Sequence, residues 1–409
     1  MKLNPAEHQW LSQPQVLRIF AALPEGSTRF VGGCVRNALL GYPITDVDIA
    51  CQLEPAGVVA AMSAADIKTV PTGIEHGTVT AIIDGMPFEI TSLRRDVETD
   101  GRRAVVAFTT DWAEDAVRRD LTMNALYADV DGVVYDPTGE GLEDIKAKRF
   151  RFVGDADARV REDYLRILRY FRFIAHYGGK SKIDAEALKA CRENRRGLKT
   201  LSSERVWSEI KKILKAPDPV RALRIALTNE VLETVLPDAS NVEGLSMLAT
   251  LEKEQGLAAD PLLRLMAMSA RDEFAIAGLC KRMKVSNDEK ARLLGWAGDR
   301  TSLAPNMDDK ARKTAVYEAG RQPVYDRSML RAAGADDPII TGRWLSLAEF
   351  AKTWDVPVFP LKGRDLKASG VEAGPKMGKV LEALEALWVR SGFTADKKRL
   401  LMALTLINR

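Results

Sequence analysis

The most constraining feature of this chain is a change of texture near Val153. Before it, short apolar stretches with alternating polarity and Gly-containing turns are interleaved with helical segments. After it, the sequence is helical in composition or period almost throughout. A chain of 409 residues is too long for one simple core, so several domains are expected. The fold class that follows is α+β, a mixed-sheet head followed by a long all-α remainder. The expected division is a helical lead-in over 1–24, a head over 25–150, a neck over 151–238, and a body and tail over 239–409. A net charge of +3 leaves any nucleic-acid contact to local basic patches. Cys34, Cys51, Cys191 and Cys280 are widely scattered and include no CxxC. That argues for a reducing, cytoplasmic setting and against a structural zinc site. The N-terminal MKLNPAEHQWL lacks the apolar core of a signal peptide, and no run reaches membrane-spanning length.

Within the head, RFVGGCVRNALLGYPITDVDIA (29–50) reads as a strand, a Gly32-Gly33 turn, a short helix closed by Gly41, and a second strand carrying Asp46 and Asp48. Residues two apart on a strand share a face, so the two carboxylates project together. Adjacent carboxylates repel and call for a cation. The Gly33 amide, the helix start and Arg36 lie where an anion could dock. A cation site beside a phosphate site points to metal-assisted phosphoryl or nucleotidyl transfer. Asp84-Gly85 between two apolar stretches signals a hairpin, with Glu89 in its second arm as a third carboxylate. Residues 94–110 read as a mobile loop or hairpin, and Trp112–Ala128 as helical. Asp129-Val130-Asp131 repeats the DxD spacing, but Val133 and Val134 stand where a calcium loop needs an oxygen ligand and a glycine, so a hairpin turn is expected there.

In REDYLRILRYFR (161–172), Asp163, Arg166, Arg169 and Arg172 follow at three-residue steps, which on one helix makes each a neighbour of the next. An amphipathic helix with a solvated charged face is the plain alternative. Against it, residues 146–182 hold eleven Lys/Arg and only four Asp/Glu. An Asp with an Arg can read a base edge, the carboxylate accepting from an exocyclic amine and the guanidinium donating to a ring acceptor. Cytosine and adenine offer that arrangement. Arg205 and Trp207, in SSERVWSEIKKIL, read as capping and packing residues.

Six stretches in order, GGCVRNALLG…DVDIA, HGTVTAIIDGMPFEITSLRRD, DAVRRDLTMNALY, DPTGEGLEDI, REDYLRILRYFRF and SERVWSEIKKIL, resemble the successive motifs of class II tRNA nucleotidyltransferases. That group holds bacterial CCA-adding enzymes and related poly(A) polymerases within the polymerase-β-type superfamily. The resemblance implies a head, neck, body and tail that clasp the acceptor arm and 3′ end of tRNA. It implies Mg²⁺ on Asp46 and Asp48 with Glu89 completing the catalytic carboxylates. Gly33, Arg36 and Arg119 would hold the triphosphate, Asp163 and Arg166 would read the base of CTP or ATP, and Arg169 and Arg172 would extend that row. Segment 94–110 would match the loop that helps switch from C to A addition. Asn37 departs from the pattern, standing where the family usually has Asp. Full CCA addition is the expected activity, with poly(A) synthesis, partial CC- or A-addition and non-catalytic RNA binding as the alternatives. The sequence indicates no membrane association and no obligate protein partner.

Overall fold

The computed structural model describes the chain apart from residues 71, 72, 74–76, 101, 102, 180, 408 and 409. His76, at the start of the second motif, therefore lies outside the described residues. The chain divides into two compact units, Met1–Ser240 and Asn241–Arg409.

The first unit opens with a 3-10 turn over Gln9–Ser12 and α1 (Pro14–Ala22), which starts on a proline at a position whose N–H needs no helical partner. There follow β1 (Thr28–Val31), α2 (Gly33–Leu40), β2 (Asp48–Cys51), α3 (Pro55–Ala64), β3 (Lys68–Val70), β4 (Thr78–Ile83) and β5 (Met86–Ser92). After β6 (Arg94–Asp100), β7 (Arg103–Phe108) and α4 (Trp112–Val117) come β8 (Tyr127–Ala128), β9 (Val134–Tyr135) and α5 (Gly141–Ala147). Seven strands form one sheet in the order β3-β4-β5-β2-β1-β8-β9. The β2–β5 pair is parallel and its neighbours are antiparallel, so the sheet is mixed. Phe30, Ile49, Ile90 and Val79 are fully or almost fully buried on its covered side, and Trp10 packs edge-on against Phe30 at 4.7 Å between centroids. Asp84 and Gly85, at φ 52° and 78°, form the two-residue turn of β4–β5. Positive φ at both positions is what the right-handed twist of a tight hairpin requires. Strands β6 and β7 pair only with each other, from Arg94↔Phe108 to Asp100↔Arg103, with an irregularity between Asp96 and Glu98. Segment 94–110 is thus a two-stranded ribbon, and its tip at 101 and 102 lies outside the described residues.

Three expectations are corrected. Strand β2 begins at Asp48, because its pairing with β1 and β5 starts at Ile49 and Asp48; Asp46 precedes the strand. The helix expected over Trp112–Ala128 ends at Val117. Buried Asp115 accepts from Arg118, Arg119 and the Tyr127 hydroxyl, and satisfying that carboxylate folds the chain back through a turn over Thr122–Asn124. The Asp129 carboxylate is taken by the Val133 amide and the Tyr135 hydroxyl, each at 2.9 Å, so the second DxD is the turn read from the sequence.

The neck region follows as α6 (Ala156–Glu162), α7 (Leu165–Tyr177), α8 (Ala185–Glu193), α9 (Ser203–Lys215), α10 (Pro219–Thr228) and α11 (Val231–Val235). The apolar stripe of α7, including Leu165, Leu168, Phe171 and Ile174, is buried as expected. Residues 219–235 are two helices rather than one, broken where Glu230 adopts φ 59°.

The second unit is helical: α12 (Val242–Glu254), α13 (Pro261–Met268), α14 (Glu273–Met283), α15 (Asn287–Gly298), α16 (Asp309–Ala319), α17 (Arg321–Ala333), α18 (Pro338–Thr353), α19 (Gly363–Ala368), α20 (Pro375–Arg390) and α21 (Lys397–Ile407). Arg292 ties Asp260, the N-cap of α13, to fully buried Asp326 on α17. Leu366, Leu384, Trp388 and Leu400 centre a separate apolar cluster. Among the described residues no helix is long and apolar enough to cross a membrane. All four cysteines are buried and free.

Candidate nucleotide-binding and catalytic site

Gly32 has φ 71° and ψ −119°, a backbone that side chains rarely adopt. This turn lets α2 start at Gly33 and projects Arg36 from its first turns into a cleft of about 660 Å³. On the head side the cleft is lined by Gly33, Arg36, Asp48 and Arg119; the facing wall carries Asp163, Arg166, Arg169 and Arg172. Eight of the ten site residues read from the sequence therefore meet in one cavity. Asp46 and Glu89 do not line it. Glu89 is the register partner of Asp48 across the parallel β2–β5 pair, and both side chains point to the exposed face of the sheet.

The Asp48 carboxyl is pushed above its ordinary value by burial, then by the charges of Glu89 and Asp46, with Arg119 and Arg36 opposing. Negative charge is thus concentrated at Asp48 beyond what its cationic neighbours neutralise. A divalent cation would relieve it, and oxygen-only donors suit a hard ion. Among the described residues no three His, Cys, Asp or Glu side chains already converge as a metal cage. The donor chemistry fits such an ion, with the nucleotide's phosphates completing its coordination.

The cationic half is held by a buried network. Arg119 donates to Asp115 at 2.9 Å. Burial disfavours the Arg119 charge, but Asp115 and Tyr127 more than offset this. Burial would raise Asp115, yet Arg119 and Arg118 bring it to about 2. Asp120 accepts from Arg169 Nε and Asn124 Nδ2, both at 2.8 Å, and Asn124 Oδ1 accepts in turn from Arg36. Burial pulls the Arg172 guanidinium below its usual value, with Glu209 opposing.

The expected single row Asp163–Arg166–Arg169–Arg172 is not one helix. Asp163 sits in an extended break at the end of α6, at φ −151°, and its Oδ1 accepts the Leu165 amide at the start of α7. An Asp competes for local backbone donors in this way, ending one helix and starting the next. Its Oδ2 accepts from Arg205 at 2.6 Å, while Arg166 donates to Glu162 at 2.6 Å and to the Arg118 carbonyl at 3.2 Å. The sequence reading passed over Arg205, Tyr177, Asn124 and Asp120 as site residues. Arg205 had a sequence signal, a basic residue in the last motif, but it read as packing; Asn124 and Asp120 stood in a motif from which Arg119 alone was taken.

Residues 28–151 match the model of the poly A polymerase head domain, and 182–242 that of the probable RNA and SrmB-binding site of polymerase A. A CCA tRNA nucleotidyltransferase of Danio rerio is 35% identical over 92% of this chain and 86% of its own length. The CCA-adding enzyme of Pediococcus pentosaceus is 31% identical over 93% and 94%. The chain belongs to the class II tRNA nucleotidyltransferase family. The crystal structure of the Bacillus stearothermophilus CCA-adding enzyme in complex with CTP superposes with a TM-score of 0.78 at 28% identity, covering 97% of this chain and 98% of that one. For a nucleotidyltransferase, the anion-binding Gly33–Arg36 turn, the Asp48 carboxylate and the Asp163–Arg166 wall are the three parts that a single nucleotide pocket requires.

Proposed function

We propose that this protein is a CCA tRNA nucleotidyltransferase, adding C, C and A to tRNA 3′ ends from CTP and ATP and releasing pyrophosphate. The observation that carries the reading is the convergence of the Asp48 half and the Asp163–Arg166 half on one cavity. Relatives covering more than nine-tenths of the chain and bearing that activity in their names support it over poly(A) synthesis.

In this reading Arg36 and Arg119, with the Gly33 amide, bind the triphosphate and draw charge toward pyrophosphate as it leaves. Asp163 accepts a hydrogen bond from the exocyclic amine of cytosine or adenine, and Arg166 donates to the neighbouring ring acceptor. Uracil and guanine lack that order of groups and are refused. Arg169 and Arg172 extend the cationic wall and keep the nucleotide's phosphates from drifting. Asp46 and Asp48 would hold Mg²⁺, with Glu89 beside them, and the metal when bound lowers the barrier to deprotonating the terminal ribose hydroxyl and stabilises charge at the α-phosphate. The hydroxyl oxygen attacks the α-phosphorus in line, the bond to the β-phosphate oxygen breaks, and pyrophosphate departs. The ribbon 94–110 is assigned to the switch from C to A, and the helices of 151–238 and 239–409 to holding tRNA. Cytoplasmic residence is part of the reading, supported by four free, dispersed cysteines.

The test uses purified protein with Mg²⁺ and tRNA transcripts lacking CCA, CA or A, with CTP and ATP supplied singly and together. Three additions and a stop are expected. A long A ladder would indicate a poly(A) polymerase, and no addition a binding protein.

A further inference from the structure

The carboxamide of Asn37 is used on both sides. Its Oδ1 accepts from Arg36 Nε at 3.1 Å, Arg36 Nη2 at 2.8 Å and the Tyr177 hydroxyl at 3.0 Å. Its Nδ2 donates to the Pro43 carbonyl at 2.8 Å. Every partner of Oδ1 is a donor and the partner of Nδ2 is an acceptor, which fixes the orientation of the amide. These partners belong to three pieces of the site: Arg36 is the anion-binding arm, Tyr177 ends α7, and Pro43 lies in the segment that leads to Asp46. Tyr42, beside Pro43, packs edge-on against Tyr177 at 4.9 Å. The Arg36 guanidinium lies 4.8 Å from the Tyr177 ring centroid and 5.0 Å from that of Phe173.

We propose that Asn37 is a positioning residue for the nucleotide triphosphate, aiming Arg36 into the cleft with its charge undiminished and tying the Asp46 segment to the same point. The inference rests on the nucleotide site described under the proposed function. A carboxylate at this position would accept the same bonds from Arg36, but as a charge-assisted ion pair that neutralises the arm before the triphosphate arrives. It would also set two carboxylate oxygens against the Pro43 carbonyl, with no donor between them, and so loosen the segment carrying Asp46. The neutral amide avoids both effects.

The test compares full-length wild type, Asn37→Asp and Asn37→Ala. CTP and ATP binding is measured by titration calorimetry without divalent cation, and nucleotide KM, tRNA KM and kcat are measured with Mg²⁺. Asn37→Asp is expected to weaken both nucleotides about tenfold, the effect of roughly one charged hydrogen bond redirected away from the ligand. Nucleotide KM rises to match, tRNA KM and the melting temperature hold, and half-maximal activity needs more Mg²⁺. Asn37→Ala, neutral but unaimed, is expected to lose less. Wild-type nucleotide binding by Asn37→Asp would overturn the inference, as would a greater loss in Asn37→Ala. Equal weakening of nucleotide and tRNA with a lowered melting temperature would overturn it too, reducing Asn37 to a structural residue. Wild-type protein that bound no CTP would overturn the functional reading instead.

Discussion

The carboxylate of Asp163 is held by the guanidinium of Arg205 at 2.6 Å, across 42 residues of chain. Arg205 therefore orients the acceptor that is proposed to read the base, and a bond between two charged groups at the rim of a cleft fixes direction more than it adds stability. Arg205→Ala should leave the fold intact and lower kcat/KM for CTP and ATP by about 10- to 100-fold, from the loss of roughly 1.5–3 kcal/mol of oriented hydrogen bonding. Steady-state kinetics with each nucleotide measures this, and Arg205→Lys should recover part of the loss.

Asp48 is crowded by burial, Glu89 and Asp46. Asp48→Asn should abolish nucleotide addition while tRNA binding is retained, and Asp46→Ala should do the same. The raised folded value of Asp48 means its charged form opposes folding above that value, and protonation removes the opposition. Without divalent cation, Asp48→Asn should therefore melt higher than wild type at neutral pH, and the difference should shrink as Mg²⁺ is added to the wild type. Normal turnover by either Asp variant would remove the metal assignment.

Glu89 stands in register with Asp48 but outside the cleft lining. Glu89→Gln should reduce kcat by less than Asp48→Asn does and raise the Mg²⁺ concentration needed for half-maximal rate. Rates measured across a Mg²⁺ series distinguish a supporting carboxylate from a bystander, which would leave the series unchanged.

Asp115 is almost wholly buried and held at about 2 by Arg119 and Arg118 despite the opposing effect of burial. Its folded value lies below the unfolded one, so its contribution is fully present above pH ~4 and is lost as pH falls toward about 2. The contribution is on the order of 2 kcal/mol. Chemical denaturation from pH 6 to 2 should show this acid limb in wild type and a flatter profile in Asp115→Asn, which starts from lower stability.

Much of the site was legible because its chemistry is local. Gly32-Gly33 with Arg36, and Asp48 on a strand, are decided within one turn and two strands, where periodicity and backbone preference speak directly. The Asp84-Gly85 hairpin was readable for the same reason. Long-range pairings were not. That Asp163 leaves the helix depends on its capping of Leu165, and that it meets Arg205 depends on how α7 packs on α9. Trp112–Ala128 has helical period, but a single buried carboxylate, Asp115, outweighs it by gathering three donors. Prolines also misled: Pro219, Pro261, Pro338 and Pro375 were read as breaks, and each instead occupies the first turn of a helix. Helix α18 was missed on that account.

The central claim is that a metal-and-triphosphate half around Asp48 and a base-reading half around Asp163 and Arg166 serve one nucleotide. The most direct measurement is the relative kcat/KM for CTP and UTP on tRNA lacking CCA, in wild type and in Asp163→Ala. The expected result is strong preference for CTP in wild type and its collapse in Asp163→Ala, with triphosphate binding retained. Undiminished preference for CTP in the variant would contradict the claim.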